Sequence, residues 1–412
     1  MAYLERGILE LLSALPDILE LSGSDLLRHS FAVAFLSKKI ANEIVPHKVE
    51  ELFLSGLVHD IGTFDMPYET VHKADLYCEI SDKDVLSHPL ISGQIISSFP
   101  SLSKLADIVI AHHERFDGKG YPLRRSNNEV SSESQTIRIA DSLSVKFNHS
   151  KKLQLQDAYN YLDEQSGKEF NPVYLKGVKS ALDDKTLDTA NNFDLLSQEI
   201  KKTIDSFKIF AIRQRRHSIE EILFFFGQLL DIKHSYSESH CIRVSNYAVL
   251  LALGLGLESK DIDRIRIAGM VHDLGKIGIP KNILDKPARL TEDEFKVVKS
   301  HPDLAVKIIS KITSLKGILP IVKSDQEHWD GSGYPQGLKG EEIPFLARIM
   351  LVADAFDAMT SDRAYRKAMP LSAALAELER CKGKDFDPRI IEVAMKVFSN
   401  LDMQSPPSER SI

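Results

Sequence analysis

The chain has 412 residues, and one hydrophobic core rarely serves more than roughly 300, so two domains are expected. Hydrophobic residues make up 43% and charged residues 27%, an ordinary globular balance that excludes a mainly disordered or fibrous chain. A net charge of -7, from 52 Lys and Arg against 59 Asp and Glu, provides no basic stripe to neutralise duplex phosphates, so duplex nucleic acid is excluded as a partner.

The first residues include Glu5, Glu10, Asp17 and Glu20, where a signal peptide would be basic. Apolar stretches such as 247–257 fall short of the roughly 20 residues that span a bilayer. Cys78, Cys241 and Cys381 lie far apart and form no CxxC pair, which supports neither a disulfide framework nor a thiolate zinc site. These features predict a cytoplasmic, soluble protein without a membrane partner; a homodimer is compatible with the sequence.

Strand signals are scarce and apolar residues recur at helical spacing, so the fold class expected is all-α. In chain order, Leu54, Leu57, Val58 and Ile61 form a helical stripe that ends beside His59-Asp60. A Gly/Pro break follows at 117–122, and the residues from 183 to 192 are polar and turn-rich. Helical periodicity returns from Phe193 to about Ile232, which places a domain boundary near residue 200 and predicts a connecting helix packed on both halves. The domains expected are therefore 1–200 and 201–412. In the second, Ile267, Met270, Val271 and Leu274 form the matching stripe before His272-Asp273, and 330–335 is the matching break.

These matches share one register. His59-Asp60 recurs 213 residues later as His272-Asp273, His88-Pro89 as His301-Pro302, Gly120-Tyr121-Pro122 as Gly333-Tyr334-Pro335, and Ala140-Asp141 as Ala353-Asp354, while His29 pairs with His240. With 14 His in the chain, about one His-Asp pair is expected by chance. A single such His is more often a cap or a satisfied core residue than a ligand. Repetition of the whole set points instead to two metal sites.

The candidate ligands are Asp25, His29, His59, Asp60, His88, His112, His113 and Asp141 in the first copy, with Asp25 one turn before His29. In the second they are His240, His272, Asp273, His301, Asp325 and Asp354. Imidazole and carboxylate without thiolate suit Fe, Mn or Zn, and a structural zinc would favour thiolate, so Fe or Mn is expected. Two or more such ions, bridged by a carboxylate such as Asp60, would lower the pKa of bound water and supply a nucleophile for phosphoester hydrolysis.

The residues resemble the HD-GYP phosphodiesterases. The second copy carries the resemblance over nearly all of 215–400: His240, HDLGK at 272–276, His301-Pro302, WDGSGYP at 329–335, GLKGEEIP at 337–344 and RIMLVADAFDAMTSDRAYRKA at 348–368. A weaker version covers roughly 15–180. The resemblance implies two tandem helical domains, each with a two- or three-metal site, and hydrolysis of a cyclic dinucleotide, cyclic di-GMP or 3′,3′-cyclic GMP-AMP. The tandem arrangement is similar to the cyclic GMP-AMP phosphodiesterases of vibrios.

Each copy departs from the family pattern. The first has Thr63 in place of the Lys that follows His-Asp, and its segment after Asp141 is about three residues shorter and lacks the paired Arg. The second reads Asp325-Gln326-Glu327 in place of His-His-Glu. An anionic diester needs preorganised cationic donors, which favours the second copy as the hydrolase and the first as a metal-bound regulatory copy. The reverse assignment stays open because metal ligands are the harder requirement.

In the expected mechanism Asp273 holds the metals, while Lys276 with Arg363 or Lys367 holds the phosphate and a linear dinucleotide is released. Arg366 extends that cationic segment, against the plainer reading of a solvated helix face. Gly333, Tyr334 and Pro335 are the remaining substrate-binding candidates. Their Gly-Tyr-Pro is first a turn, with Gly supplying positive φ and Pro stopping the next helix. Tyr334 and Trp329 are candidates to stack on a base, against the plainer reading of core plugs. A non-catalytic cyclic dinucleotide or metal receptor is the first rival, and an HD-type hydrolase of another nucleotide the second.

Overall fold

The computed structural model describes chiefly residues 24–63, 83–100, 102–149, 154–210, 240–362 and 367–401, with scattered helical positions within 14–20 and 222–230. Its regular elements are helices; among the described residues there is no strand, only two isolated bridges, Ser166 with Phe170 and Lys382 with Phe386. The helical periodicity read from the sequence is thus realised throughout the described chain. Among those residues no helix is long and apolar enough to cross a membrane.

The chain divides into two compact units, Met1–Glu221 and Ile222–Ile412. In the first, α1 (Ser24–Ile44), α2 (Val49–Val58), α3 (Lys83–Ser97), α4 (Ala106–Ile110) and α5 (Ser132–His149) carry the candidate ligands. They are followed by α6 (Leu155–Glu164), α7 (Pro172–Ala181), α8 (Asp184–Asn191) and α9 (Phe193–Phe210). Helix α9, which crosses the boundary expected near residue 200, packs on α1. Much of the expected connecting helix beyond it lies outside the described residues.

Helix α1 is the centre of this unit. Phe31, Val33, Ala34, Leu36 and Ile40 bury its sides against α2 and α5, so apolar burial holds one long helix between two others. The later helices start on local signals. Asn171 caps α7 by accepting from Val173 N, with Pro172 in the first turn. Asp183 caps α8 by accepting from Thr186 N at 2.6 Å.

The second unit repeats the plan. Helices α10 (His240–Gly254), α11 (Ser259–Val271), α12 (Lys281–Leu284), α13 (Glu292–Val298), α14 (His301–Ile309), α15 (Leu319–Ser324) and α16 (Phe345–Thr360) correspond to the ligand-bearing part, and α17 (Leu371–Arg380) and α18 (Pro388–Phe398) follow. Here α10 is the central helix, packed on α11, α16 and α18. The shorter segment after Asp141 is visible as a shift of register from 213 to 216: the bridge of Ser166 and Phe170 recurs at Lys382 and Phe386.

The two apolar stripes differ. Leu54, Leu57, Val58 and Ile61 are all buried, as the spacing predicts. In α11 the buried positions are Ile265, Ala268 and Val271, followed by Leu274 just beyond its end, while Ile267 and Met270 are only half-buried. Close packing of Gly269 on Ser245 turns that side of α11 inward.

Two glycine pairs are fixed by close approach. A Cβ on Gly62 or Gly275, the glycine after each His-Asp, would collide with the backbone carbonyl of His88 or His301. Their absent side chains let the start of the next ligand-bearing helix come near the His-Asp pair. The glycine of each Gly-Tyr-Pro corrects the expectation of positive φ. Left-handed φ occurs two residues earlier, at Gly118 (74°) and Gly331 (88°). Gly120 and Gly333 are needed because the backbone of 113–115 or 326–328 occupies the space of a Cβ. Gly333→Ala should therefore destabilise the second unit by about 1–3 kcal/mol through overpacking, read as a lower urea midpoint with the first unit unaffected.

Candidate metal centres

The first unit gathers seven candidate ligands from five places in the chain. His29 lies on α1, His59 and Asp60 follow α2, His88 is in the first turns of α3, His112 and His113 follow α4, and Asp141 is on α5. All seven are buried. They form two donor sets: His29, His59 and Asp141, and Asp60, His88, His112 and His113. Asp60 stands between them. Its Oδ2 is 3.6 Å from His29 Nε2 and 3.4 Å from His59 Nε2, and its Oδ1 is 3.3 Å from His88 Nε2 and 3.4 Å from His112 Nε2.

Three of these rings are oriented by their own helices. His59, His88 and His112 place Nδ1 at 2.9, 2.6 and 2.5 Å from the carbonyl oxygens of Gly56, Val85 and Val109. Each Nδ1–H is therefore donated to the backbone, and each Nε2 lone pair faces the cluster. His29 is steadied by Ser144 Oγ, 3.0 Å from its Nδ1, while its Nε2 lies 3.2 Å from Asp141. A convergence of lone pairs and carboxylate oxygens is the donor arrangement that divalent transition metals take.

His113 is set apart. Arg138 Nη1 lies 2.8 Å from its Nδ1, and a guanidinium is only a donor, so Nδ1 accepts and the neutral ring carries its proton on Nε2. That Nε2–H points at His88 Nε2, 3.1 Å away. His113 thus ligates through Nε2 only after releasing this proton. Arg138 is itself buried and held by Glu169 at 3.1 Å. The sequence reading missed Arg138; the signal available was a basic residue one helical turn before Asp141, with Leu351 at the matching place in the second copy.

Charge follows from burial and neighbours. Burial, and then the adjacent His113, pulls His112 down to about 3, so it is a neutral donor at ordinary pH. Burial disfavours protonation of His59, but Asp60 outweighs it and raises the pKa. Asp141 is opposed by burial and held ionised chiefly by the hydrogen bond from His29. Asp25 is exposed and stands outside both donor sets.

The second unit brings together a smaller set, His240, His272 and Asp273. His240 Nε2 is 3.5 Å from both Asp273 Oδ2 and Asp354 Oδ1. Asp273 Oδ2 also receives Lys276 Nζ at 2.7 Å. His301 Nε2 is 3.9 Å from the other oxygen of Asp273. Asp325, at the place of His112, is buried and neither of its oxygens has a hydrogen-bond partner. Burial, and then Asp273 and Asp354, pushes its carboxyl well above the usual range. Gln326 donates its amide to Asp354, at 3.5 Å.

The substrate-binding candidates are less concentrated. Tyr334 sets its ring edge-on to His301, receives Lys299 above its face at 5.3 Å and donates its hydroxyl to Gln326 Oε1 at 3.3 Å. Trp329 is half-buried with the Arg348 guanidinium over its ring. Lys367 is exposed and paired with Asp362 at 2.8 Å. Arg363 and Arg366 lie outside the described residues. Gly333 and Pro335 shape the loop, which is anchored by Glu327: its buried carboxylate accepts from the backbone of Gln336, Gly337 and Leu338. Glu114 does the same for Leu123 and Arg125.

Asp357, which the second copy keeps from the family pattern, buttresses His240. It accepts from His240 Nδ1 at 2.7 Å and from Arg243, and replaces the Ser144 of the first unit. Burial opposes the charge on His240, but the hydrogen bonds to Asp273 and Asp357 win and raise it to about 9. In chelator-treated protein this raised pKa adds stability that is complete below the unfolded value of about 6.5 and is lost as pH rises through the folded value of about 9. Asp357→Asn should flatten that loss, measured as the urea midpoint between pH 6 and 10.

Comparison with known proteins agrees with this geometry. The HD domain model matches twice, over residues 13–173 and 225–390. A 3′3′-cGAMP-specific phosphodiesterase 3 of Vibrio cholerae is 29% identical over 289 residues, which is 70% of this chain and 62% of the relative. The 3′3′-cGAMP-specific phosphodiesterase 1 of the same organism is 24% identical over 86% of this chain and 83% of its own. The cyclic di-GMP phosphodiesterase response regulator RpfG of Xanthomonas campestris is 41% identical over 39% of this chain and 43% of its own. The chain thus spans less than two thirds of the first and third of these relatives. A crystal structure of a cyclic GMP-AMP specific phosphodiesterase in V. cholerae superposes with a TM-score of 0.61 at 22% identity, covering 97% of this chain and 99% of that one, which shows a shared fold. With both halves matched and the His-Asp and Gly-Tyr-Pro residues present in each, the chain belongs to the HD-domain family and carries two HD-GYP-type domains in tandem.

Proposed function

We propose that the chain is a metal-dependent phosphodiesterase that hydrolyses a cyclic dinucleotide, 3′,3′-cyclic GMP-AMP or cyclic di-GMP, to a linear dinucleotide. The observation that carries this reading is Asp60, a buried carboxylate whose two oxygens face two separate groups of imidazoles. The names of the relatives support the substrate class. His29, His59 and Asp141 would hold one ion and Asp60, His88, His112 and His113 another, with Fe or Mn favoured by the mixture of imidazole and carboxylate. Bound ions would supply an activated water nucleophile and neutralise charge on the phosphate.

The protein's own contribution is orientation. Backbone carbonyls fix the rings of His59, His88 and His112, Ser144 steadies His29, and Arg138 with Glu169 holds His113. This donor set favours hydrolysis in the first unit and a regulatory role for the second. The sequence argument for the second unit rested on its cations, and two of them are already neutralised: Lys276 by Asp273 and Lys367 by Asp362.

One observation favours the reverse assignment. His240 and Asp354 are 12% and 23% exposed, whereas every ligand of the first unit is at most 2% exposed, so the second site is the more open to a diester. A pair of variants separates the two. Loss of a group that merely orients a ligand costs about 10–100-fold, and loss of direct ligands should cost at least as much. His59→Ala/Asp60→Ala is expected to lower hydrolysis at least ~100-fold, while His272→Ala/Asp273→Ala retains turnover. The assay is chromatography of either dinucleotide incubated with Mn-loaded or anaerobically Fe-loaded protein. The opposite pattern transfers hydrolysis to the second unit, and intact dinucleotide with the unmodified chain overturns the enzymatic reading.

A further inference from the structure

The two units present different donor chemistry at matching places. The first offers five imidazoles, His29, His59, His88, His112 and His113, with two carboxylates, Asp60 and Asp141. In the second, Asp325 and Gln326 replace two imidazoles, leaving His240, His272 and His301 with three carboxylates, Asp273, Asp325 and Asp354. Asp273 and Asp354 are the carboxylates that act on buried Asp325, and Lys276 is the cation that offsets them. Asp273 Oδ1, His301 Nε2 and both oxygens of Asp325 are buried without a hydrogen-bond partner. His301 Nδ1 lies 2.8 Å from the Val298 carbonyl oxygen, so its proton is on Nδ1 and Nε2 is a lone pair. Buried acceptors left without a donor, two of them 3.9 Å apart in His301 and Asp273, call for a cation.

We infer that the second unit holds an oxygen-preferring divalent cation of the Mn(II) or Mg(II) class at Asp273, His301 and Asp325, whereas the first, richer in imidazole, is shifted in relative affinity toward later transition-metal ions such as Fe(II) and Co(II). Imidazole favours ions later in the first transition series, while carboxylate, carbonyl and water suit Mg and Mn. His301 and Asp325 stand outside the compact set of His240, His272 and Asp273, whose ligand atoms lie within 4.8 Å of one another. A wider, carboxylate-lined site suits an ion that keeps part of its water shell. Lys276 occupies Oδ2 of Asp273 and offsets one charge, leaving Oδ1 for the cation. This assignment concerns binding alone and stands whichever unit hydrolyses substrate.

The experiment uses the intact chain, stripped with a chelator and titrated without substrate. Co(II) is followed by its visible absorption and Mn(II) by its electron paramagnetic resonance, with bound metal counted by mass spectrometry. Two classes of site are expected, and the ratio of Mn(II) to Co(II) affinity should be at least about tenfold higher in one of them. Asp325→Asn, which keeps the shape and removes the charge, should weaken only the Mn-preferring class, and His112→Ala only the Co-preferring class. Asp325→His/Gln326→His should move the second unit toward Co(II). Thermal unfolding of the stripped variants shows that each is folded. One uniform class, or Mn(II) binding unchanged by Asp325→Asn, overturns the inference and identifies Asp325 as a carboxyl that stays protonated in place of binding metal. Absence of hydrolysis would count against the proposed function and leave this result untouched.

Discussion

A carboxylate buried among imidazoles is the constraint from which both halves follow. Asp60 and Asp273 are 2% and 5% exposed, and an isolated ionised carboxylate at such depth would cost far more than a domain's whole margin of stability. Compensation must come from nearby positive or polarisable groups. In the first unit it comes from histidines on every side. In the second a lysine has moved onto the same carboxylate, so one charge is offset covalently tethered within the chain.

The helices are arranged to meet that constraint. A His-Asp pair at the end of one helix has to meet a histidine on the central helix, another at the start of the next, and an aspartate on a long helix further on. Burial of Leu54, Leu57 and Val58 fixes the first of these helices, and the bare surface of Gly62 allows the backbone of His88 to approach. The ring orientations then cost little, because the helix that carries each histidine supplies the carbonyl that holds its Nδ1. Glu114 and Glu327 pin the Gly-Tyr-Pro loops beside the ligands, so the loop motif acts as part of the support as well as a rim.

Divergence between the halves is concentrated at a few positions. Thr63 corresponds to Lys276, Ser144 to Asp357, and His112-His113 to Asp325-Gln326 in the repeat register. Each exchange alters charge without altering the helical frame, since the surrounding apolar positions are kept. The first unit concentrates neutral nitrogen donors and a buried arginine. The second concentrates carboxylates and ammonium. Such a division suits one chain in which two similar sites respond to different ions.

Much of this was legible from residues alone. Helical periodicity announced the all-α class, the common register announced the duplication, and the spacing of His59-Asp60, His88, His112-His113 and Asp141 picked out side chains that the first unit brings together. Those features are local or repeated, and a repeated pattern survives in one dimension. Other features needed the folded chain. Asp25 shares a helical face with His29, yet its side chain is exposed to solvent while Leu26 and Leu27 beside it are buried. The glycines of Gly-Tyr-Pro read as turn residues, but a neighbouring backbone excludes their side chains. The tautomer of His113 is set by Arg138 from 25 residues away, and the charge of Lys276 is already matched by Asp273. Sequence therefore determined which donor atoms this protein owns and which helices carry them. Tertiary structure decided which of those atoms face one another, because hydrogen-bond direction and burial exist only after distant segments have packed.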